Sequence, residues 1–345
     1  MVEYEVTIGI PVYNAENYIR LSMESALAQT FQSIEYLVLD DCGNDSSIDI
    51  IKEYQKSHPR GKDIRIISLP QNGGVGNARN CIVEETRSRY LYFLDADDTI
   101  SPRTIELLYD HIKEYGAQIV LASHNRIEST SGVIKKSTRI YPQIHFDQKN
   151  SFALWAYRKY DGIQATTWNF LIDIEVFRKN HLKYPLTNYW EDFAFMMELP
   201  TYLTRVVLLS DITYHYYSRD STLSNKHERN VILKEEVEKT INVIKQVKRN
   251  ILRVKNQSYF PYLLNIVLKT DFYIVCRILR QKKQIRPSFT MGELRDVMCS
   301  PLSFSEIIRL KKSRIDNLFL YILGVLPPVV SVAIMCLVGW LKKLI

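Results

Sequence analysis

Tyr90-Leu91-Tyr92-Phe93-Leu94-Asp95-Ala96-Asp97-Asp98 is the stretch on which the fold turns. Five large apolar or aromatic residues in a row fit a strand covered on both faces. The chain then becomes acidic within one residue. In an open α/β sheet, ligands sit outside the carboxyl ends of the strands. Carboxylates spaced one apart at such an end are hard oxygen donors for Mg²⁺ or Mn²⁺, a metal usually shared with substrate phosphates. The same residues also suit a plainer part: Asp98 or Ser101 caps the helix expected over 102–115, with Pro102 near its first turn. Both parts are compatible, for different members of the loop.

Toward the N-terminus the pattern repeats. Val6–Val12 reads Val-Thr-Ile-Gly-Ile-Pro-Val, a β-branched run typical of a buried strand, and residues 34–39 and 64–69 are of the same kind. Helical spacing of apolar residues marks 17–29, 46–56 and 77–88. This alternation predicts a mostly parallel sheet with helices on both faces. Three odd loops follow strands, at 11–14, 40–45 and 95–98, and are expected to meet in one crevice. Asp40 and Asp41 suit either an Asx turn or bonds to a base or ribose. Gly73-Gly74-Val75-Gly76 opens a helix, where close backbone approach and the helix N-terminus favour anions. It lacks the P-loop spacing, which excludes that NTPase class. Arg79, one turn in, suits a diphosphate, a stacked base or a surface salt bridge.

Toward the C-terminus, a strand is expected at 118–123. Regularity then falls until about residue 166. A helix opens in Asn188-Tyr189-Trp190-Glu191-Asp192-Phe193 and runs to about 199, and 205–209 and 212–217 read as short strands. Acids at a helix start complement its dipole. The sharper reading is a general base that takes a proton from an attacking hydroxyl.

Taken together, these residues resemble the inverting family 2 glycosyltransferases with the GT-A fold, of the non-processive, bacterial polysaccharide type. The resemblance rests on Ile10-Pro11-Val12-Tyr13-Asn14, Asp40-Asp41, Asn72-Gly73-Gly74 through Ala78-Arg79-Asn80, and Phe93-Leu94-Asp95-Ala96-Asp97-Asp98. Thr167-Trp168-Asn169 and Trp190-Glu191-Asp192-Phe193-Ala194-Phe195 follow in the family's order. It covers roughly residues 4–217. It implies that Pro11, Tyr13 and Asn14 line a nucleoside pocket, with Asp40 on base or ribose and Arg79 helping to hold the nucleotide. Asp95 would lie near ribose or sugar, and Asp97 would bind the Mn²⁺ or Mg²⁺ bridging the diphosphate. Trp168 and Glu191 would stand on the acceptor or donor side, with Asp192 as catalytic base. The implied donor is a nucleotide-diphosphate sugar, UDP first. Cys42 and Phe170 depart from the pattern, where a Gly and a basic residue are common. His215 suits a structural part or a diphosphate contact. Two other readings compete. A nucleotidyltransferase would need a basic Gly-rich stretch near the first strand, and none is present. A non-catalytic subunit of the same fold would not need both Asp97 and Asp192.

The charge of the 345 residues is unevenly spread. Residues 226–345 hold 22 Lys and Arg against 9 Asp and Glu, while residues 1–225 hold 23 against 29. The expected organisation is a catalytic domain over 1–225, a basic helical region over 226–316 and an apolar tail over 317–345. The basic half suits phosphates, in lipid headgroups or a lipid-linked glycan acceptor. No aromatic-interleaved motif supports nucleic acid. Five scattered cysteines fit a reducing compartment and no Zn site, and no signal peptide is evident. Residues 318–341 carry no charge but are interrupted by Pro327 and Pro328. Two short helices on a membrane surface suit this better than a straight span. The expected location is cytoplasmic, peripheral on the inner face of the plasma membrane.

Overall fold

A computed structural model describes residues 4–130, 133–159, 166–187, 190–218 and 231–345. The chain forms two compact units, Met1–Phe152 with Ala165–Lys226, and Ala153–Gln164 with His227–Ile345.

The first unit is built on one sheet. Its strands are β1 (Val6–Val12), β2 (Ile34–Asp40), β3 (Ile64–Ser68), β4 (Tyr90–Phe93), β5 (Thr99–Ile100), β6 (Ile119–Thr130), β7 (Val133–Arg139), β8 (Ile144–Phe146), β9 (Phe170–Asp173) and β10 (Val206–Ser218). The helices are α1 (Ile19–Leu27), α2 (Ser47–Ser57), α3 (Val75–Glu85), α4 (Thr104–Glu114), α5 (Ser151–Arg158), α6 (Glu175–Asn180) and α7 (Glu191–Glu198), of which α5 runs from one unit into the other. Strand order is β3-β2-β1-β4-β9-β6-β10-β5, with β7 beside β6 and β8 beside β10. The first four strands are parallel. Beyond them the sheet is mixed, because β9 enters antiparallel between β4 and β6. That reversal positions the site. It brings the residue before β9, Asn169, to the same edge as the carboxyl end of β4.

Sequence and register agree closely in the parallel half. Ile8, Ile10, Tyr36, Val38 and Tyr92 are buried in one core. Pro11 has no N–H for a ladder, yet sits in a central strand. It is tolerated because β4 pairs with β1 only as far as Gly9 opposite Phe93, so Pro11 lies past the end of that ladder.

The low-regularity stretch expected from residue 123 to about 166 contains the end of β6, β7, β8 and α5, and β9 follows it. β7 reads Val-Ile-Lys-Lys-Ser-Thr-Arg, and as an edge strand it has no buried face to impose apolar alternation. The two short strands expected at 205–217 are one strand. Ser210 and Asp211 mark irregularities in its pairing with β6 rather than a break.

The second unit is mainly helical: α8 (Lys234–Asn250), α9 (Phe260–Arg280), α10 (Met291–Val297), α11 (Phe304–Ile308), α12 (Arg314–Val325) and α13 (Pro328–Leu341). β11 (Ile232–Leu233) pairs with β12 (Ile285–Arg286). Lys248 of α8 is buried; its Nζ lies 2.5 Å from Asp271 of α9 and donates to the carbonyls of Val297 and Cys299. Among the described residues, no helix is long and apolar enough to cross a membrane.

Candidate active site

The carboxyl edge of β1, β2 and β4 gathers the three odd loops. Asn14 follows β1 in a left-handed conformation (φ 50°), and its Oδ1 accepts the Asn44 N–H at 2.9 Å. Asp40 Oδ1 accepts the Gly43 N–H at 3.1 Å across the turn that Cys42 makes at φ 59°. Cys42 thus takes the left-handed conformation that favours the family's usual Gly. Tyr13 is 55% exposed beside this turn, and Pro11 and Asp40 are half-buried.

Asp41, by contrast, is buried. Its carboxylate accepts the N–H groups of Gly73 at 2.7 Å and Gly74 at 2.9 Å, and the Asn72 amide at 3.1 Å. Gly74 stands at φ 83°, which a side chain would strain. The anion held by the Gly-rich loop is therefore the protein's own carboxylate, and these two amides are already engaged. The loop fixes the start of α3 against β2.

What α3 carries is then aimed. Arg79 is buried, its Nη1 donating to Glu191 Oε1 and its Nη2 to Asp95 Oδ1, both at 3.0 Å. Its guanidinium also lies over the Tyr184 ring. Asn80 exchanges two hydrogen bonds with the Tyr184 backbone, fixing the segment that leads to α7. Ala78-Arg79-Asn80 thus joins the loop after β4 to the start of α7. The two carboxylates keep the Arg79 guanidinium firmly protonated despite its burial.

The members of the acidic loop divide their parts. Asp98 is fully buried, accepting the Tyr214 hydroxyl and the Tyr217 N–H, each at 2.8 Å. Burial, with Asp97 and Asp95 nearby, raises its pKa well above the carboxylate range. Asp95 keeps about a quarter of its side chain open, and Asp97 is half-buried. Among the described residues no group of three or more His, Cys, Asp or Glu forms a metal cage. A divalent ion completed by substrate phosphates needs only one or two protein carboxylates. Asp97, half-buried on this loop, is such a carboxylate, so the residues present fit Mg²⁺ or Mn²⁺.

Asp192 lies in the first turn of α7, its Oδ1 accepting its neighbour's N–H from Phe193 at 2.6 Å. Its pKa is pushed up to about 7, first by burial and then by the Glu191 carboxylate, with Arg79 pulling it down. Asn188 and Tyr189 lie outside the described residues.

Trp168 and Asn169 build the wall. The Trp168 ring stacks on Tyr214 at 4.3 Å and on Tyr216 at 5.7 Å, and only 7% of the residue is exposed. Asn169, left-handed at φ 62°, donates to the Ala122 and Ser123 carbonyls and accepts the Thr213 hydroxyl at 2.6 Å. His215 has both ring nitrogens engaged, Nδ1 with the Asn125 amide and Nε2 with the Ser101 hydroxyl. Thr138 donates to Asn125 Oδ1, which orients the Asn125 amide as donor and leaves Nε2 of His215 protonated. Burial, with Lys136 nearby, lowers the pKa of His215. Sequence reasoning gave Asp41 an Asx turn or a base or ribose contact, Asp98 a helix cap, and Asn169 no part beyond its motif. The structure commits Asp41 to the Gly-rich loop and Asp98 to Tyr214 and Tyr217, while α4 starts after Arg103 without a side-chain cap.

A parallel half-sheet, an acidic loop after β4 and an acidic helix start tied to that loop by Arg79 make up a GT-A fold. The fold is similar to S. aureus TarS 1–349, solved in complex with UDP-GlcNAc, with a TM-score of 0.66 and 18% identity over 93% of this chain and 90% of that one. The chain belongs to glycosyl transferase family 2, whose model matches residues 7–180. It is 27% identical over 239 residues to the glycosyltransferase GlyA of Streptococcus pneumoniae serotype 4, covering 65% of this chain and 32% of GlyA. It is 29% identical over 231 residues to the minor teichoic acid biosynthesis protein GgaA of Bacillus subtilis, covering 62% of this chain and 47% of GgaA. The chain thus spans a third to a half of these curated relatives.

Proposed function

We infer that the protein transfers a sugar from a nucleotide-diphosphate donor, a UDP-sugar, to an acceptor hydroxyl with inversion, in the assembly of a surface polysaccharide or teichoic acid. The observation that carries this reading is the Arg79 bridge. It holds the Asp95–Asp98 loop against the helix that starts with Glu191-Asp192, so diphosphate and acceptor chemistry share one crevice. The donor class is supported by the UDP-GlcNAc complex of TarS, and the polymer class by the likeness to the minor teichoic acid biosynthesis protein GgaA.

In this mechanism Pro11, Tyr13, Asn14 and Asp40 receive the nucleoside, and Tyr13 offers its exposed ring to the base. Arg79 sets Asp95 toward ribose and sugar. Asp97 would hold the Mg²⁺ or Mn²⁺, which when bound neutralises charge on the departing diphosphate. Asp192 takes the acceptor proton. A carboxylate poised near 7 is a stronger base than an exposed one and is still about half ionised at neutral pH. Trp168, through Tyr214 and Tyr216, and Glu191, through Arg79, keep the walls in place. One base suffices, unlike the paired carboxylates of a glycosidase. The acceptor is a lipid-linked glycan at the inner face of the plasma membrane, where the basic helical region meets phosphates. The test is the anomeric configuration of the product by NMR. Inversion is expected, and a retained configuration would overturn the single displacement.

A further inference from the structure

The last two helices of the second unit are fixed on one face and bare on the other. Asn317 of α12 is fully buried, donating to the Pro261 carbonyl and accepting from Asn265, both on α9. Ser331 of α13 donates to the Leu323 carbonyl at 2.6 Å, stitching α13 to α12. Gly324 passes so close to α10 that a Cβ there would meet the Met298 carbonyl oxygen at 2.7 Å. These are specific contacts, so the pair is docked rather than loose.

The opposite faces are apolar. On α12, Ile315, Phe319 and Ile322 fall at the i, i+4, i+7 spacing of one face, and all are exposed. On α13, Val329, Leu337 and Trp340 share a face, with Trp340 68% exposed. No charged residue occurs from 317 to 341. Exposed basic residues bound the pair at both ends: Lys311, Lys312 and Arg314 before it, Lys342 and Lys343 after. A 14-residue α13 is about 21 Å long, short of a bilayer core of about 30 Å.

We propose that this face seats the protein on an anionic lipid surface. The apolar stripes of α12 and α13 enter one leaflet in the plane of the membrane, Trp340 sits at the interface, and the five basic residues meet the headgroups. This rests on the reading above that the acceptor is met at a membrane. A second copy of the chain is another apolar cover. Joining two such faces would bring like-charged flanks together, whereas anionic headgroups complement them.

The test is cosedimentation of the full chain with phosphatidylcholine vesicles, with and without roughly one-third phosphatidylglycerol. Binding to the anionic vesicles is expected, and a Leu337→Ser/Trp340→Ser variant, with unchanged circular dichroism, is expected to bind at least about tenfold more weakly. Absence of vesicle binding overturns the proposal. So does binding that the double variant leaves unchanged, or a dimer in light scattering that the same variant dissolves. Hydrolysis of nucleotide sugar in solution is followed in parallel. A chain that hydrolyses donor but ignores vesicles sinks the lipid proposal alone, and one that binds vesicles but takes no donor sinks the transferase reading alone.

Discussion

Arg79 Nη1 donates to Glu191 Oε1 at 3.0 Å, across 112 residues of chain. Its Nη2 holds Asp95 equally closely, so one buried cation sets the spacing of the two acidic segments. Removing it leaves both carboxylates uncompensated. Arg79→Met is expected to cost about 3 to 5 kcal/mol, read from urea unfolding. Arg79→Lys keeps the charge but not the fork, and is expected to lose less stability while still weakening donor binding. Because the Arg79 charge lowers the pKa of Asp192, the activity–pH midpoint of either variant that folds should move to higher pH in Arg79→Met and hardly at all in Arg79→Lys.

The raised pKa of Asp192, about 7, gives opposite signs for activity and stability. A general base works ionised, so kcat/KM should rise with pH through about 7 and level off above it. In the unfolded chain the same carboxyl titrates near 4. Between those values the folded state holds a proton that the unfolded state has released. The contribution to stability is therefore full at the acid end and falls as pH rises to about 7. Asp271, also pushed up to about 7 by burial against the pull of Lys248, adds a parallel slope. The difference between wild type and Asp192→Asn isolates the first. The variant should be more stable above pH 7 by about 1 to 3 kcal/mol. Equal stability of the two proteins across pH 5 to 8, in paired thermal melts, would contradict the assignment.

Asp40 and Asp41 are adjacent and should behave differently. Asp41→Ala strips the acceptor from two backbone N–H groups and the Asn72 amide in a buried setting, a cost of about 2 to 4 kcal/mol. Asp40 is half-buried and accepts one N–H. Asp40→Ala is expected to cost about 1 kcal/mol or less and to act mainly on donor affinity. Denaturation and calorimetric titration with UDP separate the two effects.

The parallel half of the sheet was legible because burial on both faces forces near-continuous apolar runs, as in 6–12, 34–40 and 90–93. β7 and β9 were not. The first is a polar edge strand, and the second is four residues long, too short for any period to register. At the site, the composition of the loops was legible and the division of labour within them was not. Three neighbouring aspartates at 95, 97 and 98 look alike in sequence. Only the tertiary position of Tyr214 and Tyr217 commits Asp98 to holding the loop. Likewise Arg79 suits a diphosphate as well as a salt bridge until α7 folds back to place Glu191 against it.

The central claim is that Asp97 and Asp192 serve one crevice in different parts. It is tested most directly by binding and turnover across a panel of nucleotide sugars, with Mn²⁺, Mg²⁺ or EDTA, for wild type, Asp97→Ala and Asp192→Asn. The account predicts metal-dependent binding of one donor that Asp97→Ala loses. It predicts that Asp192→Asn binds that donor about as well as wild type but turns over at least about a hundredfold more slowly. A folded wild type that binds no donor, or an Asp192→Asn protein that turns over at the wild-type rate, would contradict it.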